Sequence, residues 1–208
     1  MKAIIFGATG TVGIEIVKQA LEKNYAVTAF VRHPEKMTNL HHNNLTILKG
    51  DVLNPGEVEN AVRNHDVVLC VLGDGNAGKI RALGTRNIID AMHKTGIKRL
   101  ICQSTLGIGE SYGNLNFIWK HIMFGILLKK AFQDHQLQEQ HILHSGLDYT
   151  IVRPSALTDG TITKGFKIGF DGEYKKLNLK ITRADVAHFI LSQLHTDRYM
   201  KKAVSISN

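Results

Sequence analysis

Three glycines at intervals of three, Gly7, Gly10 and Gly13, follow directly on the apolar run Lys2-Ala3-Ile4-Ile5-Phe6. An amphipathic pattern (Val12, Ile16, Val17, Ala20, Leu21) begins inside them. Strand, glycine turn and helix in that order are what a dinucleotide pyrophosphate requires. Gly7 allows the tight turn out of the strand, Gly10 lets the backbone approach phosphate, and Gly13 lets the helix pack on the sheet. Thr11 and Val12 open the helix, whose free N–H groups and positive dipole end attract an anion, and Thr9 adds a hydroxyl. A glycine triplet alone is a weak signal, but in this context it specifies dinucleotide binding.

A second apolar run, 26–31, ends in Phe30-Val31-Arg32-His33-Pro34, without the acidic residue that bonds the ribose 2′-hydroxyl of NAD. Arg32 suits a 2′-phosphate through a bidentate, charge-assisted contact, and Lys36 can assist. The cofactor expected is therefore NADP (NADPH); a solvated surface arginine is the plain alternative. Asp51 and Val52, after the third run, are placed to face the adenine, the carboxylate accepting its exocyclic amine. Leu72-Gly73, after the fourth, leaves room for the nicotinamide ribose. Ser104-Thr105, at the end of the fifth, can hydrogen-bond a carbonyl or a flavin edge, or simply cap a turn. His135, whose ordinary pKa is about 6.5, can pass a proton near neutrality or lie exposed on a helix. Arg153, before Pro154-Ser155, contacts cofactor phosphate or substrate, or forms a structural ion pair. His141 and His144 share a helix face, but Glu139 points elsewhere and no cysteine completes a ligand set, so no metal is expected.

The elements that must hold these groups alternate along the chain. Strands are expected at 2–6, 26–31, 45–49, 67–72, 99–103 and 149–152, short apolar runs of the kind found in a parallel sheet covered on both faces. Helices are expected at 12–23, 55–64, about 79–95, 117–144 with a break near Gly125, and 184–195. Asn54-Pro55 caps the second helix and Gly96 closes the third. Right-handed crossovers then give an α/β fold: a Rossmann-like, doubly wound parallel sheet in three layers, α/β/α, with the ligand crevice at the strand C-termini. The 208 residues are read as a single domain, with a substrate pocket formed by 104–135 and 153–182.

The glycine turn, Val31-Arg32, Gly50-Asp51-Val52, Gly84-Thr85-Arg86-Asn87-Ile88, Ser145-Gly146-Leu147-x-Tyr149-Thr150 and Ile181-Thr182-Arg183-Ala184-Asp185-Val186-Ala187 resemble the atypical short-chain dehydrogenase/reductases. The match is nearest to the biliverdin reductase B / NADPH-dependent flavin reductase group and runs from residue 1 to about 200. The resemblance implies NAD(P)H binding and hydride transfer to a flavin, quinone or tetrapyrrole. It also implies catalytic roles for a serine after the fifth strand and a histidine on the next long helix, where Ser104-Thr105 and His135 fall. A second histidine of the family corresponds to about Ala156 here, which speaks against tetrapyrrole chemistry. No tyrosine is followed four residues later by lysine, so the Tyr-x-x-x-Lys alcohol dehydrogenase mechanism is unsupported.

Composition narrows the remaining classes. With 43% hydrophobic and 21% charged residues the chain is an ordinary globular protein. The net charge of +8 comes from scattered basic residues without interleaved aromatics, so no nucleic acid is expected. Cys70 and Cys102 fall in buried strands and read as reduced thiols, which, with no targeting pattern, suggests a cytoplasmic protein. The apolar stretch 117–128 is too short to span a bilayer; it reads as a pocket wall or lid, a dimer face, core, or a membrane-surface helix. The expected function is NADPH-dependent hydride transfer to a small planar acceptor such as a flavin or quinone, by a monomer or homodimer. A non-catalytic NADP-binding redox sensor, similar to the NmrA-like regulators, is the alternative. A nucleotide-sugar epimerase is disfavoured by the short C-terminal portion.

Overall fold

Apolar strands with no polar face must be covered on both sides, and the computed structural model, which describes residues 1–208, shows how. β1 (Lys2–Phe6) lies between β2 (Ala26–Val31) and β4 (Val67–Cys70), parallel to both. β3 (Leu45–Lys49) extends the sheet beyond β2, and β5 (Arg99–Gln103), β6 (Asp148–Pro154) and β10 (Lys202–Ser207) extend it beyond β4. A short β8 (Lys167–Ile168) closes the edge antiparallel to β10, giving eight strands in the order β3-β2-β1-β4-β5-β6-β10-β8. β7 (Ala156–Thr158) and β9 (Lys180–Thr182) form a separate parallel pair.

Successive side chains of β1 enter opposite cores. Ala3 and Ile5 pack with Ile16 and Val17 of α1 (Thr11–Glu22) and with Phe189 and Ile190 of α5 (Arg183–Ser192). Ile4 and Phe6 pack with Val58 of α2 (Pro55–Val62), Ile88 and Met92 of α3 (Arg81–Thr95), and Ile142 of α4 (Lys129–Leu143). The result is the expected three-layer, doubly wound α/β sheet. The strand order reverses between β1 and β4, and a crevice opens where their C-termini diverge.

Local signals act as read. Asn54 Oδ1 accepts the Gly56 N–H at 3.1 Å at the start of α2, and Gly96 ends α3 with φ of 78°. The long helix expected over 117–144 is two helices. Ile118–Leu127 is a wide π-helix, closed by the Leu128 N–H donating to Met123 O at 2.6 Å, and α4 begins at Lys129. The break thus falls at Leu128, not near Gly125: Asn76 Nδ2 donates to Leu127 O, and Gly78 packs against the Lys130 backbone. β7, β8, β9 and β10 lie beyond the last expected strand.

Candidate active site

The crevice holds a cavity of about 810 Å³, within the range of about 300–1,000 Å³ common for small-molecule and cofactor sites. Its floor is the glycine turn. Gly7 sits at φ of 90°, and a Cβ there would strike the Val71 carbonyl across the switch point, so the turn from β1 demands glycine. Gly10 donates its N–H to Gly7 O at 2.9 Å and faces open space apart from that carbonyl. The first bond inside α1 is Ile14 N–H to Gly10 O, so the N–H groups of Thr11 and Val12 point out of the helix start without backbone partners. Thr9, Thr11 and Val12 line the cavity beside Gly7 and Gly10. Gly13 does not. A Cβ there would collide with Gly7 O, so its part is to let α1 sit on the turn.

At one end Arg32 and Lys36 are exposed and line the mouth. The neighbouring carboxylate, Glu35, lies 3.0 Å from His33, and neither cation forms an ion pair within 4.0 Å. Val52 lies on the wall between this end and the middle, held by Asn87 Nδ2 donating to its carbonyl at 2.9 Å. Gly84 allows α3 to approach so closely that a Cβ would come within 2.8 Å of Leu72 and 3.0 Å of Val52. Leu72 and Gly73 complete the middle of the cavity.

Asp51 is a correction to the sequence reading. Its carboxylate accepts the Leu53 N–H at 2.9 Å and its own N–H donates to Glu57 Oε2 at 2.7 Å, so it fastens a turn instead of lining the cavity.

The far end gathers Ser104, Thr105 and His135 on one wall. Ser104 stands just past β5, held by its N–H donating to Val152 O at 2.7 Å. Its Oγ is buried and meets no protein partner. Thr105 Oγ1 makes only a 3.4 Å contact with Leu106 O. Two similar groups stand nearby, Ser155 in the turn read as leading into the substrate pocket and Gln103, which sequence reasoning passed over. Gln103 Oε1 and Ser155 Oγ also line this end, buried and unpartnered. Their places at the ends of β5 and β6 were the available signal. Leu115, Trp119, Phe124 and Leu128 form an apolar roof over them.

His135 is not the proton donor its ordinary pKa suggests. Desolvation, reinforced by the nearby Arg81 guanidinium, lowers its pKa to about 3. Gln138 fixes the tautomer: its Nε2 donates to Thr85 Oγ1 at 3.0 Å, so its Oε1 accepts from His135 Nδ1–H at 3.1 Å. His135 Nε2 is thus a neutral acceptor. Arg81, unforeseen in the sequence, lines the same wall; Asp74 holds it at 2.7 Å and Asp134 lies at 3.5 Å.

Of the two roles read for Arg153, the structure shows the structural ion pair and not the cofactor contact. Arg153 is buried, donates to Glu139 from Nη2 at 2.6 Å and Nε at 2.9 Å, and reaches Glu110 at 2.7 Å. This ion pair takes the guanidinium away from the cavity. The residues present fit a dinucleotide along the rest of the crevice.

Comparison with known proteins agrees with this geometry. The model of the NAD(P)H-binding family matches residues 7–197. The chain belongs to the NAD(P)H-binding family. Its cofactor is accordingly a nicotinamide dinucleotide, and its fold is that of the atypical short-chain dehydrogenase/reductases. It is 31% identical over 75% of its length to an uncharacterized chloroplastic protein of Arabidopsis thaliana, of which it spans 59%. An oxidoreductase from Lactococcus lactis shares 28% identity with a TM-score of 0.85, over 100% of this chain and 91% of that one. An anaerobilin reductase from Escherichia coli O157:H7 shares 29% identity with a TM-score of 0.83, over 100% and 97%. The NAD(P)H-binding chain has no helix long and apolar enough to cross a membrane.

Proposed function

We propose that this protein is an NADPH-dependent reductase that reduces a flavin, a quinone or a similar planar acceptor. The observation that carries the reading is the buried, unpartnered Ser104 Oγ beneath the roof of Trp119 and Phe124. A hydroxyl with no protein partner, under aromatic side chains and beside a dinucleotide cleft, suits a flat ring bearing a carbonyl. The substrate end is formed by 104–135 and 153–182, and the NADP preference rests on Arg32 and Lys36.

When bound, NADPH supplies a hydride from its nicotinamide ring. The chain binds and orients. Thr11 and Val12 N–H groups receive the pyrophosphate, and Arg32 and Lys36 receive the 2′-phosphate. Leu115, Trp119 and Phe124 exclude water over the reacting face, and Ser104 donates to the acceptor carbonyl. His135 Nε2 accepts a hydrogen bond from an N–H or O–H of the acceptor. The two buried, unpaired cysteines suit a reducing, cytoplasmic compartment.

The test is NADPH oxidation followed with FMN, riboflavin and soluble quinones. Ser104→Ala should lower kcat/KM about ten- to hundredfold while the Kd for NADPH stays the same. NADPH binding without turnover on any acceptor would remove this reading in favour of a redox sensor. One observation favours that second reading: no tyrosine lines the cavity and His135 is neutral, so no evident proton donor is present.

A further inference from the structure

The Ile118–Leu127 helix has two apolar faces. One, with Trp119 and Phe124, roofs the cavity. The other is uncovered: Phe117, Ile118, Ile122, Ile126 and Leu127 are all exposed, Phe117 at 70% and Ile126 at 71%. Single exposed apolar side chains are ordinary, but five within eleven consecutive residues on one short helix are not.

The segment that carries this face has charge of one sign. Between Glu110 and Asp134 the chain carries Lys120, Lys129 and Lys130 and no carboxylate. The two bounding acids are engaged, Glu110 by Arg153 at 2.7 Å and Asp134 by the Arg81 and Ala82 N–H groups at 3.0 Å each. Lys120 lies over the Tyr112 ring at 4.9 Å, while the adjoining turn 171–176 is charge-balanced, with Asp171 and Glu173 against Lys175 and Lys176.

We propose that this face docks on an anionic lipid bilayer. The isoleucines and Phe117 enter the interface, and Lys120, Lys129 and Lys130 meet the headgroups. A twofold contact with a second copy is the poorer match, because an isologous interface sets a patch against itself and these lysines would face lysines. A bilayer bearing acidic headgroups supplies the negative charge that the segment 111–133 lacks. The inference does not depend on reductase activity, since binding is read without turnover. If both hold, the roof of the substrate end is also the membrane contact, which favours acceptors that partition into lipid.

Co-sedimentation with vesicles tests it. The purified protein should pellet with vesicles of phosphatidylcholine containing about a third phosphatidylglycerol, bind pure phosphatidylcholine vesicles much more weakly, and be partly released by 0.5 M salt. Each lysine near an anionic surface changes partitioning about fivefold, so Lys129→Glu/Lys130→Glu should weaken it more than tenfold. Ile122→Asp/Ile126→Asp should abolish it. Both variants should keep wild-type NADPH affinity and circular dichroism, since none of these side chains lines the cavity. Should Ile122→Asp/Ile126→Asp lose the native spectrum, Ile126→Ser, on the most exposed position, replaces it. Wild-type protein that stays in the supernatant overturns the proposal, as do variants that pellet like wild type. So does a concentration-dependent dimer that the isoleucine variant dissolves while vesicle binding is absent.

Discussion

His135 is half-buried on the cavity wall beside Arg81 and tied to Gln138, and those contacts set its chemistry more than its residue type does. Its folded pKa is about 3, against 6.5 without the fold. The unfolded chain therefore binds a proton that the folded chain refuses between those values. Stability from this site is complete above pH 6.5 and falls as pH drops toward 3. Relative to pH 7, the loss at pH 5 is up to about 2 kcal/mol. A His135→Gln variant should thus lose less of its melting temperature than wild type on going from pH 7 to 5. An equal loss in both would mean that His135 titrates normally. In turnover, the pH profile of kcat/KM should show no inflection near 6.5 belonging to the free enzyme. Ser104, Arg32 and the glycines were legible in sequence because their places follow from strand ends. Arg153 carried two readings, ligand contact and structural ion pair, and spacing could not choose between them because Glu139 lies on a helix whose rotation it does not state; the turn that Asp51 makes with Glu57 escaped for the same reason.

Among the elements, β6 and α4 meet at a buried ion pair, which the exposed Glu110 of the turn at Gly109–Asn114 joins from the surface. Arg153 on β6 joins Glu139 on α4 and Glu110 on the turn, and Glu139 and Arg153 are only 2% and 4% exposed. Removing one partner strands a charge in the core. Arg153→Met should cost about 3–5 kcal/mol, read as a shift of the urea midpoint. The double variant Arg153→Met/Glu139→Leu should recover most of that loss, because it buries no unpaired charge. A double variant no more stable than the single would show that packing, not charge, is what Arg153 supplies. The first six strands and all the α-helices were legible because their apolar runs, Asn54, Pro55 and Gly96 are local signals. The π-helix was not, since its end is fixed by Asn76 and Gly78, some fifty residues upstream. β10 escaped for a related reason. Lys202-Ala203-Val204-Ser205-Ile206-Ser207 alternates like an exposed-edge strand, yet it lies inside the sheet between β6 and β8.

For the whole molecule, the reversal of strand order between β1 and β4 opens the crevice, and α1 aims its N-terminus into it. A ligand lying there touches the ends of β1, β2, β4 and β5 at once, so it ties together both halves of the sheet. NADPH at a hundred times its Kd should add about 2.7 kcal/mol to folding, which for a chain of this size raises Tm by about 5–10 °C. On the proposed reading, in which Arg32 and Lys36 at the mouth receive the 2′-phosphate, that effect depends on this phosphate. A charge-assisted bidentate contact is worth about 1.5–3 kcal/mol, so Arg32→Ala should weaken NADPH binding about ten- to hundredfold. At the same NADPH concentration the variant's Tm shift should fall to about half or less of the wild-type shift. NADH lacks the phosphate, so its smaller shift should be unchanged by the same substitution. Raising the ionic strength should narrow the gap between NADPH and NADH in wild type but not in Arg32→Ala, because Arg32 is exposed and open to screening. If NADH and NADPH shift wild-type Tm equally, Arg32 is a surface arginine and the cofactor preference goes with it.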